Sequence, residues 1–342
     1  MERRRVVITG ISAITPLGLD AASSWQALLA GKSGIERITL FDTTGYDTHI
    51  AGEVKGFRPE DVIPAKVCKR MDRFVQFAVC GADQLMKDSG YSIDEQNAEN
   101  TGVILGVGLG GLHTIEVFHS RLVEAGPSRV SPFFIPMLIS NMAPGQVAIN
   151  TGAKGPNLVL TSACASSLHA IGHAYSEILL GRCEAVITGG MEATITPMGI
   201  SGFTSMKALC TQYDETPHKA SRPFDLTRAG FVMGEGAAML MLESLDSARA
   251  RGAKIYAEIV GFGASDDAYH MVAPLETGAG AASAMRRALK DAGLSPEKIR
   301  HISAHGTSTH ANDAGETRAI KAVFGKHAYD IAVCASKSQI GH

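Results

Sequence analysis

The stretch Gln84-Leu-Met-Lys-Asp-Ser-Gly-Tyr-Ser92 is echoed far along the chain by Arg287-Ala-Leu-Lys-Asp-Ala-Gly-Leu-Ser295. In both places a helical pattern stops at a glycine, and a short polar loop follows. An apolar run then leads into a glycine-containing loop. A glycine just past the last helical turn suits a position that needs positive φ. A single match of this kind also arises by chance. Taken as a repeat, it predicts two related halves, residues 1–253 and 254–342, the second opening near Lys254.

Working outward from these two helices, short β-branched runs alternate with longer helical patterns. Strands are predicted at Val6–Thr9, Gly102–Leu105, Leu158–Thr161, Ala185–Thr188, Ala237–Leu242, Ala257–Phe262, Ile299–Ser303 and Ile331–Ala335. Amphipathic helices are predicted at Asp72–Ser89, Ser166–Leu180, Ala279–Ala292 and Asp313–Phe324. Strand–helix alternation with nearly continuous apolar strands predicts α/β layers with sheets covered on both faces. The second half has little chain left after the strand at Cys334 before His342 is reached. It is therefore expected to be incomplete, as in a shortened chain.

With 342 residues, 45% of them hydrophobic and 19% charged, the chain can bury a large core or two domains. Its net charge of −2 argues against life on nucleic acid or an anionic membrane. The six cysteines (Cys68, Cys80, Cys164, Cys183, Cys210 and Cys334) form no close pairs, which fits reduced cytosolic thiols better than a disulfide frame or a CxxC zinc site. The apolar run after Arg5 is too short for a signal peptide or a membrane span, so a cytoplasmic protein is expected.

Gly106-Val-Gly-Leu-Gly-Gly111 follows a predicted strand and matches G-x-G-x-x-G. Such glycines let a pyrophosphate approach a helix N-terminus. The second strand with a terminal acidic residue, which a dinucleotide site needs, is missing: the chain there reads Val130-Ser-Pro-Phe-Phe-Ile-Pro136. Tight-turn glycines without a cofactor are the preferred reading.

Asn157-Leu-Val-Leu-Thr-Ser-Ala-Cys164-Ala-Ser-Ser167 places a cysteine where a buried strand meets a helix. Helix N–H groups and the dipole favour a thiolate there. A nucleophile and a structural thiol both remain open on this segment alone. Ile302-Ser-Ala-His305-Gly-Thr-Ser-Thr309 delivers a histidine from a strand end, and Ala335-Ser-Lys337-Ser-Gln-Ile-Gly-His342 delivers a lysine and a second histidine. Each has a structural reading. Together they gather a thiol, two imidazoles and an ammonium at strand ends, where open α/β sheets bind ligands. A metal site at His301, His305, His310 and Asp313 is disfavoured because the spacing is not that of HExxH.

These three segments resemble the β-ketoacyl-acyl-carrier-protein synthases, especially the type II elongating enzyme of fatty-acid synthesis. Further stretches support the resemblance: Gly106–Leu112, Ser131-Pro-Phe-Phe134, Ser221-Arg-Pro-Phe-Asp225, Gly230-Phe-Val-Met-Gly-Glu-Gly236 and Asp267-Ala-Tyr-His-Met271. The resemblance implies a thiolase-like five-layer αβαβα fold of two similar halves, a homodimer, an acyl carrier protein as partner, and no metal or resident cofactor. It implies that Cys164 takes the acyl chain, that His305 and His342 stabilise the enolate formed from malonyl-carrier, and that Lys337 orients the histidines. It further implies Leu109 and Phe203 beside the acyl channel, Thr307, Thr309 and His270 on the substrate arm, and Lys66, Lys69, Arg70 and Lys207 as the patch for an acidic carrier.

Three departures stand out. His310 replaces a common proline, and Val272 replaces a common threonine. The family also runs on to a Gly-Phe-Gly loop that carries a gating phenylalanine and one oxyanion N–H. Losing one such donor typically costs about 10²–10³ in rate, so this chain alone is expected to be nearly inactive and prone to aggregate. Rival expectations are a polyketide ketosynthase, a non-catalytic chain-length-factor-like subunit, a thiolase (disfavoured, since a second cysteine generally stands at the place of His342) and an NAD-dependent oxidoreductase.

Overall fold

The computed structural model describes residues 3–342. Its strands are β1 (Val6–Ile14), β2 (Glu36–Arg37), β3 (Ile50–Ala51), β4 (Thr101–Gly106), β5 (Asn157–Leu160), β6 (Ala185–Glu192), β7 (Gly236–Ser244), β8 (Ala257–Ile259), β9 (His301–Ser303) and β10 (Ala332–Cys334). All eight predicted strands are present. The additional pair, β2 and β3, is two residues long on each side and has no local pattern to announce it.

Two compact units divide the chain. The first holds residues 3–26, 54–199 and 235–259, and the second holds 27–53, 200–234 and 260–342.

The first unit is built on a six-stranded sheet in the order β5-β4-β6-β7-β1-β8. Strands β5, β4 and β6 are parallel, whereas β6-β7, β7-β1 and β1-β8 are antiparallel. Every residue of β4 and all but the last of β6 are buried, as expected for apolar strands covered on both faces. The helix Arg73–Ser89 packs on this sheet and buries Phe74, Phe77 and Leu85 completely. Each such side chain contributes about 1.5–3 kcal/mol. Predicted as amphipathic, this helix is instead covered around almost its whole circumference from Phe74 to Ala82. A bulge at Thr9 lets Gly10 come so close that a Cβ there would meet Ser89 Cβ at 2.6 Å.

The second unit contains the parallel pair β9-β10, joined by the helix His310–Phe324, and the antiparallel pair β2-β3. Ile320, Phe324 and Ile331 form its core with the Ala279–Ala292 helix residues Met285 and Leu289. The predicted strand Ala257–Phe262 stops early, at Ile259. Beyond it, Gly261 and Gly263 lie against that helix, where a Cβ would meet Ala288 O at 2.7 Å and Ala284 O at 2.2 Å. The glycines mark a close helix contact, which takes the place of strand pairing.

The two helices of the echo end in the same way. The helices Arg73–Ser89 and Ala279–Ala292 end at Gly90 (φ 59°) and Gly293 (φ 64°), both left-handed. Each is followed by one 3-10 turn, Ala98–Asn100 or Pro296–Lys298, and then by β4 or β9. No atom outside the neighbouring residues lies within 4 Å of a Cβ built at either glycine, so backbone conformation rather than crowding selects glycine there.

Candidate active site

Cys164 stands in the first unit, between β5 and the helix Ser166–Leu179, and is exposed. The elbow is tight. Ala163 takes φ 49°, a left-handed value that costs an L-residue about 1–2 kcal/mol. Two hydrogen bonds hold it: the Ser162 N–H donates to Ser166 Oγ at 2.8 Å, and Ser166 Oγ donates to Ala163 O at 2.7 Å. Beneath the elbow lie two glycines on neighbouring strands, Gly106 of β4 and Gly190 of β6, which pair with each other. A Cβ on Gly106 would meet the Ser166 carbonyl carbon at 2.4 Å, and one on Gly190 would meet Ser167 Oγ at 2.2 Å. The helix that follows the cysteine can come this close only because both positions lack a side chain. Burial pushes the Cys80 thiol up to about 12 and the Cys183 thiol up to about 11, so these two stay protonated and inert.

The glycine-rich loop after β4 holds no open anion cradle. The Leu109 N–H donates to Glu192 Oε2 at 2.7 Å and the Gly110 N–H to Oε1 at 3.4 Å. A carboxylate from the end of β6 sits where a pyrophosphate would have to go. This geometry removes the dinucleotide reading. Leu109 itself is 56% exposed at the tip of the loop.

The second unit brings His305, His342, Lys337 and Phe203 together. His305 follows β9, in a loop pinned by carboxylates of the next helix. Its backbone N–H and that of Gly306 donate to Glu316 at 2.7 and 2.9 Å, and the Thr307 N–H donates to Asp313 at 3.1 Å. Gly306 (φ 44°) packs against the end of β10, where a Cβ would meet Ala335 Cβ at 2.5 Å. His342 is threaded along residues 232–234: its N–H donates to Val232 O and its carbonyl accepts from the Gly234 N–H, each at 2.7 Å. The two imidazole rings lie 5.2 Å apart at 87°, and the His342 ring also meets Phe231 at 5.2 Å. Phe203 stands edge-on to Phe231 at 5.4 Å.

Electrostatics keep both rings neutral at pH 7. Burial lowers His305 most, with Lys337 adding to it against the opposing charges of Glu316 and Asp313. Burial, His305 and Lys337 together bring His342 down to about 3. Neutral imidazoles offer N–H donors without carrying a charge of their own. Lys337 opens a short helix, and its carbonyl accepts from Ser221 Oγ at 2.7 Å.

The remaining expected residues are placed as follows. Thr307 and Thr309 share a hydrogen bond of 2.9 Å, and Thr309 caps the His310–Phe324 helix. His270 is exposed, with Nδ1 accepting from the Val272 and Ala273 N–H groups. Lys66, Lys69 and Arg70 are exposed in the first unit, where Arg70 lies over the Phe133 ring at 4.3 Å, and Lys207 is exposed in the second. Of the four residues weighed as metal ligands, Asp313 accepts from Thr307, Phe224 and Asn312 N–H groups, and His301 lies 3.1 Å from Cys334 Sγ. Glu192 and Glu316 escaped sequence reasoning. The only local trace of Glu316 is an acidic residue two turns into the helix after His305, whereas Glu192 has none.

Among the described residues, no helix is long and apolar enough to cross a membrane. Comparison with known proteins gives a consistent result. The model of the beta-ketoacyl synthase N-terminal domain matches residues 3–248, and that of the C-terminal domain matches 256–342. A 3-oxoacyl-[acyl-carrier-protein] synthase 2 from Synechocystis is 51% identical over 342 residues, covering 100% of this chain and 82% of the relative. Its namesake from Coxiella burnetii is 50% identical over the same spans. Among solved structures, a beta-ketoacyl synthase from Burkholderia phymatum has a TM-score of 0.90 at 34% identity, covering 99% of this chain and 82% of that one. The AntDE:AntF structure, a type II PKS acyl-carrier protein in complex with its ketosynthase bound to the hexaketide, has a TM-score of 0.92 at 31% identity, covering 100% and 83%. The fold is therefore the thiolase-like ketosynthase fold, and the chain, with an exposed cysteine on a tight elbow and a pair of neutral histidines, belongs to the beta-ketoacyl synthase family.

Proposed function

We propose that this chain is a 3-oxoacyl-[acyl-carrier-protein] synthase, an acyltransferase that lengthens a fatty acyl chain by one malonyl-derived two-carbon unit. The thiolate of Cys164 attacks the acyl thioester carbonyl, and the carrier leaves as a thiolate that takes up a proton from solvent. Malonyl-carrier then loses CO2, and its thioester becomes an enolate whose oxygen receives N–H bonds from His305 and His342. The enolate carbon attacks the Cys164 thioester. Collapse of the tetrahedral adduct returns the thiolate and leaves a 3-oxoacyl group on the carrier. Lys337 contributes positive potential that keeps the imidazoles neutral. Leu109 and Phe203 line the acyl channel; Thr307, Thr309 and His270 meet the phosphopantetheine arm; Lys66, Lys69, Arg70 and Lys207 receive the carrier. Because the acyl groups arrive on that arm, no resident cofactor or metal is required, and the reaction is placed in the cytoplasm.

The observation that carries this reading is the perpendicular, half-buried and neutral imidazole pair, 5.2 Å between ring centroids. A positioned pair of neutral donors suits an oxyanion formed in place. The test is decarboxylation of malonyl-carrier in the parent, His305→Asn and His342→Asn proteins. Each variant should release CO2 at least tenfold more slowly, given that one oxyanion donor is worth about 10²–10³. Equal release from all three proteins would refute the role.

We also infer a homodimer. Strand β5 is the edge of the six-stranded sheet, and its Leu158 is 42% exposed. Nearby on the same unit, Leu168 is 66% exposed and Ile149 73% exposed. An unpaired apolar edge invites a second copy of the same strand. Light scattering should give the dimer mass, and Leu158→Lys should give the monomer. The AntDE:AntF neighbour favours a second reading, a polyketide ketosynthase. Products extended more than once on a single carrier would decide for it.

A further inference from the structure

The loop Gly106–Gly111 is shaped as a nest for an anion, yet the anion it holds belongs to the protein. Besides the bonds from Leu109 and Gly110, Glu192 Oε1 accepts from the Ala193 N–H at 3.3 Å. A Cβ on Gly108 would stand 2.8 Å from Glu192 Oε2, so a side chain at that position would displace the carboxylate. On the loop's other side, the Gly111 N–H donates to Leu138 O at 3.1 Å. Leu109 is thus suspended between two anchors, with its side chain outward. Burial raises the Glu192 carboxyl above its ordinary value, and the backbone N–H bonds oppose that rise. The same strand carries Gly190, on which the helix after Cys164 rests.

We propose that Glu192 is the positioning residue of this loop: by filling the nest with its own carboxylate it fixes Leu109, and through Leu109 it sets which acyl lengths load onto Cys164. The proposal rests on the reading of Leu109 as a wall of the acyl channel. A glutamine at 192 keeps the volume but turns an amide N–H₂ toward donors that need an acceptor. Aspartate keeps the charge and withdraws it by one methylene.

The experiment measures the rate of Cys164 acylation by intact mass, from carriers bearing short to long acyl chains. It compares the parent with Glu192→Gln, Glu192→Asp, Leu109→Ala and the Glu192→Gln/Leu109→Ala double variant. Loss of charge-assisted bonds should slow long-chain loading by roughly tenfold in Glu192→Gln and change short-chain loading far less. Glu192→Asp should recover part of the difference. The double variant should be no worse than Leu109→Ala on long chains, because both changes act through one side chain. Equal slowing at every length, or additive effects in the double variant, would overturn the proposal. If Glu192→Gln does not fold, Glu192→Asp alone must show the same length-dependent trend. Amide exchange at Leu109 and Gly110 provides a readout independent of acylation. It should accelerate in the variants, and unchanged exchange would refute the clamp. A parent that gains no acyl mass while its variants exchange faster would defeat the Cys164 reading and leave the clamp standing.

Discussion

The corner that presents Cys164 and the corner that presents His305 are made from the same parts, a parallel strand, a short turn and a long helix, but they are held in opposite ways. At Cys164 the holding is steric. Glycines 106 and 190 let backbone approach backbone, and Ala163 absorbs the bend at φ 49°. At His305 the holding is electrostatic: Glu316 and Asp313 reach back from the helix and collect the turn's N–H groups. A nucleophile must project and stay accessible, so nothing can be stacked over it, and its support comes from beneath. An imidazole that works as a neutral donor is better desolvated, and a buried turn needs its N–H groups satisfied.

The largest effect expected on this comparison is chemical. Cys164→Ala should abolish acylation of the protein and whatever turnover the parent shows, with stability little changed; intact mass after acyl-carrier incubation alongside thermal unfolding checks both halves of the statement. Next comes the steric support. Gly106→Ala should destabilise by about 3 kcal/mol, because its Cβ would fall 2.4 Å from helix backbone that cannot move alone. Gly90→Ala, with open space and only the φ penalty, should cost about 1 kcal/mol. Urea titration of the two proteins sharpens the contrast, and equal costs would break it.

A smaller effect is expected at the electrostatic corner. Glu316→Gln leaves one of two turn N–H groups without an acceptor, a cost of about 1–3 kcal/mol. It should lower kcat for condensation more than it slows acylation of Cys164, and the reverse order would contradict the division of labour. The smallest effect concerns pH. His342 binds its proton near 6.5 when unfolded and only near 3 when folded. Between those values the unfolded chain binds more protons, so stability is lost as pH falls through this window and levels off below it. His342→Asn should remove that part of the slope, as read by denaturation at a series of pH values.

Much of this was legible in local sequence. The helix Ala279–Ala292 has the predicted limits, and Arg73–Ser89 begins one residue later than predicted because Asp72 is its N-cap. Such helices announce themselves through periodicity and a terminal glycine. The cysteine and histidine corners were legible for the same reason, since a strand running into small residues and then a helix is a local pattern. What sequence concealed depends on residues far apart. The Gly106–Gly111 loop looked like a turn or a phosphate site, and only the fold brings Glu192 into it. The antiparallel turn of the sheet from β6 through β7 to β1 pairs distant strands and leaves no periodic mark. The amphipathic reading of Asp72–Ser89 underestimated its burial because Gly81 and Ala82 are silent in a polar–apolar pattern yet permit close packing.

The most direct test is the mass of the Cys164 peptide after incubation with an acyl-carrier thioester. The parent should gain one acyl group, mapped to Cys164, and Cys164→Ala should gain none. An unmodified parent, or an acyl group found on another residue, would contradict the account.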